Sequence, residues 1–277
     1  MSKIESAFLK AMKETQQGKS SQDEPKESIL DKFDYAVPRK KETKDLVSSR
    51  KQISKMSQDE LFKTIDFHDK RLIFSGMKDK ILLNKYRNLR TRLLASCPEG
   101  KTNFITLVTS VVPKGGSSLI ATNLASAFAF DEGKTATLID ANIQSPALNR
   151  LLDVETEKGL TEYLESEDWS VNEVLYKTSI PRLRFVPSGL VRENSAEYFT
   201  SDKMKEFVSE LVKRYPDRYP IIDAPSISES ADTRILIELC DRVILVVPYG
   251  NCTEEEIKYA ALAIGEEKLA GVVLNQF

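Results

Sequence analysis

Phe104-Ile105-Thr106-Leu107-Val108 runs directly into Thr109-Ser110-Val111-Val112-Pro113-Lys114-Gly115-Gly116-Ser117-Ser118, and then into Leu119-Ile120-Ala121-Thr122-Asn123-Leu124-Ala125. The first run reads as a buried strand, and a helix begins at about Leu119. Strand, glycine-containing loop and helix is the layout that holds nucleotide phosphates on backbone N–H groups at a helix N-terminus. A Walker A loop places a lysine directly before its Ser/Thr, where the ammonium meets the β- and γ-phosphates. Here that position is Ser117. The scaffold of an ATPase is legible, and its main cation is missing.

Outward from the loop, the pattern alternates. Helices are expected over 80–95, 118–131, 160–165, 201–215, 230–239 and 253–266, and strands over 103–109, 135–140, 183–187, 219–223, 242–248 and 270–275. The strands are continuous apolar runs, such as Val243-Ile244-Leu245-Val246-Val247, as in sheets covered on both faces. Repeated βα units imply an α/β fold with a doubly wound parallel sheet, P-loop NTPase-like, with helices on both faces. Ligands of such sheets sit at the carboxyl ends of the strands. The chemically interesting residues fall at those ends: Lys114, Gly115, Gly116, Ser117 and Ser118, then Asp140 and Asn142, then Asp223, then Asn275. In a P-loop NTPase one strand-end Asp holds Mg²⁺ or its water and another polarises the nucleophile. The plainer role for such an Asp is to cap the βα turn.

Composition narrows the rest. Lys+Arg and Asp+Glu number 40 and 42, so the net charge of −2 carries no global nucleic-acid footprint. The three cysteines Cys97, Cys240 and Cys252 are far apart, which suits a reducing cytosol and neither a disulfide framework nor a zinc site. The single His68 argues against a histidine triad or metal cluster. No apolar run nears the roughly 18 residues of a membrane span, so a cytoplasmic protein is expected, held at a membrane only through something else.

Two parts are expected: a tail over 1–77 and the P-loop domain over 78–277. The tail is rich in Lys, Glu, Asp, Ser and Gln, and Gln16–Glu27 and Arg39–Lys44 read as solvated linker, largely disordered. Ile4, Ala7, Phe8, Ala11 and Met12 follow helical spacing, with Lys3, Lys10 and Lys13 on other faces. That short helix has three readings: docking on its own domain, docking on a partner, or lying on a membrane surface.

The stretch from about Leu83 to Asn275 resembles the bacterial tyrosine kinases (BY-kinases) of exopolysaccharide and capsule assembly, within the MinD/ParA-like group of P-loop ATPases. The family loop S-x-x-P-G-E-G-K-S-T-x-x-x-N-L-A aligns without gaps on Ser110 to Ala125, with Ser117 for its Lys and Ser118 as the Mg²⁺-type hydroxyl. The family's L-I-D-x-D-x-R-x-P aligns on Leu138 to Pro146, with Asn142 for the second Asp and Gln144 for the Arg. Gly159 to Leu164, Val186 to Gly189, Asn194 to Glu197, Asp232-Thr233-Arg234 and Gly271 to Asn275 are similar to further family signatures. Ile221-Ile222-Asp223-Ala224-Pro225 stands for its Walker B, and the resemblance makes Asn275 the adenine contact. The family's E-x-x-R-x-x-R, which joins subunits, is similar to Asn84, Arg87 and Arg90, with both arginines kept and the glutamate lost. Residues at i, i+3 and i+6 lie near one helical face. Met1 to Ala7 also resembles the opening of kinases that lack a fused membrane domain.

The resemblance implies ATP or ADP with Mg²⁺ as ligands and homo-oligomers. It also implies a membrane partner of the polysaccharide chain-length (co-polymerase, Wzz-like) kind. The departures at Ser117, Asn142 and Asn84 point instead to a catalytically impaired scaffold or regulator. The family's tyrosine-rich tail would follow Asn275, and the sequence stops at Phe277. Tyr249 and Tyr259 are expected to be structural. Two other readings stand beside this one. The first is an active tyrosine autokinase or ATPase in which Lys114 replaces the lost lysine, with Lys134 a weaker candidate. The second is a MinD/ParA-like positioning ATPase, whose register leaves Ser118, Leu119 and Ile120 where Gly, Lys and Thr should stand.

Overall fold

The computed structural model describes residues 70–74 and 77–276. The amphipathic stretch at the N-terminus and the linker read from the sequence lie outside them. Within these residues the chain builds a seven-stranded sheet in the order β3-β4-β2-β5-β1-β6-β7. The strands are β1 (Thr106–Ser110), β2 (Thr135–Asp140), β3 (Tyr176–Lys177), β4 (Leu183–Val186), β5 (Arg218–Asp223), β6 (Arg242–Pro248) and β7 (Leu269–Asn275). All neighbours are parallel except the β3–β4 pair at one edge. Parallel neighbours need crossover helices, and these cover both faces.

On one face lie α1 (Lys80–Ala95) and α2 (Ser117–Ala129), whose Leu83, Leu93, Leu124 and Phe128 pack against Val108, Leu138 and Ile221 of the sheet. The other face is covered by α4 (Leu160–Glu165), α6 (Asp202–Lys213), α7 (Ala231–Leu239) and α8 (Glu254–Ile264), through Tyr163, Phe207, Leu236 and Ala260. β1, β2 and β5 are buried at every residue, which is why they carry no polar alternation. α2 is buried almost all round because α1 covers the side that the sheet leaves open.

The expected elements form close to their expected bounds. Four short ones were not expected: α3 (Leu148–Leu152), a 3₁₀ turn (Val171–Val174), β3 and α5 (Ser195–Thr200). Each is too short for a hydrophobic period to register. The packed unit also reaches further back than the boundary at 77/78. Leu72, Ile73 and Met77 are buried. Asn123 of α2 holds that segment, with its Oδ1 accepting from Ile73 N at 2.8 Å and its Nδ2 donating to Arg71 O at 3.1 Å. Among the described residues no helix is long and apolar enough to cross a membrane.

Candidate nucleotide site

The loop between β1 and α2 is shaped by backbone that favours glycine. Gly116, the residue capping α2, has φ of 88°, and Lys114 also takes a left-handed conformation at 57°. A Cβ on Gly115 would come within 2.7 Å of the Ser110 Cβ, so the loop lies hard against the strand end. The loop's base is tied to the β5 turn. Thr109 Oγ1 donates to Pro225 O at 2.6 Å, and Ile227 N donates to Ser110 O at 2.9 Å. Thr233 Oγ1 donates to the same Pro225 carbonyl at 2.9 Å. Asn275, at the end of β7, donates from Nδ2 to Gly115 O at 3.0 Å.

Asp140 and Asp223 end adjacent strands and are register partners, both buried. Asp140 accepts from Asn142 N at 3.1 Å, from Leu148 N at 3.2 Å and from Ala147 N at 3.3 Å. It therefore does cap the following turn as well as facing the site. Burial pushes its carboxyl up to about 6, against those backbone bonds. Asp223 is raised well above the usual carboxylate range, first by burial and then by the charge of Asp140. Hydrogen bonding by the Ser118 and Ser117 hydroxyls opposes this. Its Oδ1 is buried without a hydrogen-bond partner among the described residues.

The structure thus gathers the loop residues Lys114 to Ser118, Asp140, Asp223 and Asn275 at one end of the sheet. Asn142 joins through its backbone, and its Oδ1 accepts from Ser145 N at 3.1 Å, shaping the β2 turn. The Arg-to-Gln departure at Gln144 lands on a chain of contacts that sequence reading did not assemble. Gln144 Nε2 reaches Ser195 Oγ at 3.5 Å, and Ser195 Oγ donates to Asp232. The three residues sit in three separately noted motifs, so only the fold could join them.

The two lysines differ. Lys134 is held by Asp131 at 2.9 Å. Lys114 is exposed and has no ion-pair partner among the described residues. The α1 stripe is mixed. Asn84 and Arg87 are exposed, whereas Arg90 turns inward, donating to Ala127 O at 2.7 Å and facing Asp131 at 3.8 Å. Tyr249 and Tyr259 are more than half exposed, at 59% and 55%.

The donor set fits Mg²⁺. Asp140, Asp223 and the Ser118 hydroxyl would supply hard oxygen ligands, and the buried Asp223 Oδ1 accepts no hydrogen bond from the described residues. No group of three or more His, Cys, Asp or Glu side chains could hold a metal among the described residues, so phosphate and water oxygens would complete the shell. The loop backbone and Ser118 would hold phosphates. A bound Mg²⁺ supplies charge neutralisation between carboxylates and phosphate oxygens.

No family model matches the chain. The tyrosine-protein kinase YwqD of Bacillus subtilis is 32% identical over 193 residues, which are 69% of this chain and 79% of that protein. The tyrosine-protein kinase CpsD of Streptococcus agalactiae serotype III is 31% identical over 209 residues, 74% of this chain and 87% of that one. The kinase domain of the Escherichia coli tyrosine kinase Etk has the same fold, with a TM-score of 0.66 at 23% identity over 76% of this chain and 86% of that one. With 79% of YwqD spanned at 32% identity, and the loop and paired aspartates set at the strand ends as the motifs require, the chain belongs to the bacterial tyrosine kinase (BY-kinase) family.

Proposed function

We propose that this protein is a catalytically impaired BY-kinase-like scaffold or regulator of exopolysaccharide or capsule biosynthesis and export. It works at the cytoplasmic side of the membrane by contacting a polysaccharide co-polymerase (Wzz-like) partner, and it self-associates. The observation that carries this reading is Ser117 beside two buried, adjacent carboxylates that no cationic side chain among the described residues offsets. A lysine at that position would serve the phosphates and the carboxylates together. A charge-assisted contact of that kind contributes about 1.5–3 kcal/mol to binding, and more to a transferring phosphoryl group. Asn142, an amide, cannot act as a base. The departures at Ser117 and Asn142 fall on the same chemistry, while the packing of the fold is kept.

Calorimetric titration of the full chain with Mg-ATP and Mg-ADP, beside Ser117→Lys, tests it. The expected outcome is no measurable heat for the natural chain and binding restored by Ser117→Lys. Tyrosine phosphate accumulating on the natural chain, at rates that depend on Asp140 and Asp223, would overturn it.

One observation favours a second reading, an active autokinase or ATPase. Lys114 is exposed at the loop and has no ion-pair partner among the described residues. In that case the natural chain turns over ATP, and Lys114→Ala abolishes the turnover.

A further inference from the structure

Residues 70–74 are bonded to both helices that lead away from the nucleotide site. Lys70 Nζ donates to Arg150 O of α3 at 2.9 Å. Ile73 N donates to Asn123 Oδ1 of α2 at 2.8 Å, and Asn123 Nδ2 donates to Arg71 O at 3.1 Å. Leu72 and Ile73 are both buried.

The first helix, α3, is a strut fixed at both ends. Its five residues, Leu148–Leu152, are too few to hold a helix alone in water. At its start, Asp140 Oδ2 accepts from Ala147 N at 3.3 Å and from Leu148 N at 3.2 Å. The Arg150 carbonyl is among the last four of the helix, which have no N–H partner within it, and the Lys70 ammonium meets it. A carboxylate at the first end and an ammonium at the last both suit the helix dipole. Only about 7.5 Å of helix therefore separates the Lys70 contact from the Asp140 contact.

The second helix, α2, carries the other link. Its first turn closes the phosphate loop, with Ile120 N donating to Gly116 O at 3.2 Å and Thr122 Oγ1 to Ser118 O at 2.8 Å. Asn123 lies five positions past Ser118, again about 7.5 Å along the axis. The same Asn123 amide donates to the Tyr86 hydroxyl of α1 at 3.2 Å, between two buried side chains.

Opposing forces act on the segment. Arg71 has φ of 55°, a left-handed conformation that a long side chain adopts at a cost. The burial of Leu72 and Ile73 and the Asn123 bonds hold it there. Release would relax Arg71 and free Asn123 and α3 in one step.

We propose that residues 70–74 are a releasable strap that sets the geometry of the nucleotide site. Seated, the strap fixes the phosphate-loop helix through Asn123 and the Asp140 turn through α3. Released, it loosens the two together. This holds whether or not the site turns over ATP, so the test needs no nucleotide.

Hydrogen exchange of the full chain tests it, read at the amides of Leu148 and Ile120. Lys70→Met removes the ammonium and keeps the stem, Lys70→Arg supplies another donor, and Asn123→Ala removes the clasp on α2. Lys70→Met and Asn123→Ala are each expected to speed exchange about threefold or more at both amides, although each substitution touches only one of the two helices. Lys70→Arg should exchange at the natural rate, and the amides of β6 should be unchanged in every variant. A variant that speeds only the helix it touches, or neither, overturns the proposal. Equal acceleration across β6 overturns it too, because the loss is then one of global stability. Should Asn123→Ala fail to fold, Lys70→Met decides alone, its contact being at the surface.

Discussion

Asp140 and Asp223 stand side by side on adjacent parallel strands, and both are buried at the mouth of the phosphate loop. Two carboxylates so placed cannot both ionise cheaply, and burial raises each before their mutual repulsion is counted. Folding therefore takes up protons here. An unfolded aspartate titrates near ~3.9, whereas Asp140 in the fold titrates at about 6, and Asp223 is raised in the same direction. The stability this confers is fully present below about pH 4 and is lost as pH rises through the folded values. Asp131, Glu165, Asp202 and Glu256 are shifted downward, so their opposite effect is confined below roughly pH 4.5. Urea unfolding is expected to show a more stable protein at pH 5 than at pH 7.5. Asp223→Asn is expected to flatten that difference and to stabilise the protein at pH 7.5 by on the order of 1–3 kcal/mol. A natural chain that is steadily less stable on acidification over this range would refute the paired-carboxylate account.

Mg²⁺ should act on the same pair in the opposite sense. By neutralising the carboxylates it favours their ionised forms, so it should raise Tm at pH 7.5 and do little at pH 5. Thermal melts with and without the ion check this. A rise that persists unchanged in Asp223→Asn would place the ion elsewhere.

Arg87 and Arg90 lie one helical turn apart and should part company on mutation. Arg90→Ala removes the donor to Ala127 O and the neighbour of Asp131, and should cost about 1–3 kcal/mol. Arg87→Ala, at an exposed position, should cost within about 0.5 kcal/mol. Denaturant melts of the two variants compare them directly. If Arg87 is the arginine available to another subunit, its loss should alter sedimentation and leave unfolding unchanged.

Asn123 bonds Ile73 N and Arg71 O and also donates to the Tyr86 hydroxyl at 3.2 Å. Asn123→Ala should release the segment around Ile73 while the sheet stays folded. Hydrogen exchange should show the Ile73 amide losing protection by about tenfold or more, as one lost buried bond of about 1.5 kcal/mol predicts. Equal loss across β1 and β5 would mean that Asn123 supports the whole core instead.

How much could be read beforehand follows from the range of each interaction. The strand–loop–helix at Phe104 to Ala125 is local, so its residues declare the fold and place Ser117 directly before Ser118. The apolar runs of β5 and β6 likewise announce themselves. Asp140 and Asp223 were legible as strand-end carboxylates, yet their register pairing depends on β2 and β5 lying next to each other, which only the sheet order decides. Ser195 and Asp232, 37 positions apart, meet only because their two helices pack together. Arg90 was unreadable in another way, because its fate rests on where the carbonyl of Ala127 falls in the packed α1–α2 pair. The segment holding Leu72 and Ile73 is too short and too irregular to show a period, so its burial was hidden until Asn123 was seen to hold it.

The hydrogen bond from Asn275 to Gly115 O joins residues 160 positions apart. A ribosome adding about 5–20 residues per second needs roughly 8–30 s to travel that distance. Over that interval the nascent loop has its glycines and its strand but not its last clasp. The phosphate cradle therefore acquires its shape long after its loop is made, and a chain released before β7 would carry every loop residue around an unfinished cradle.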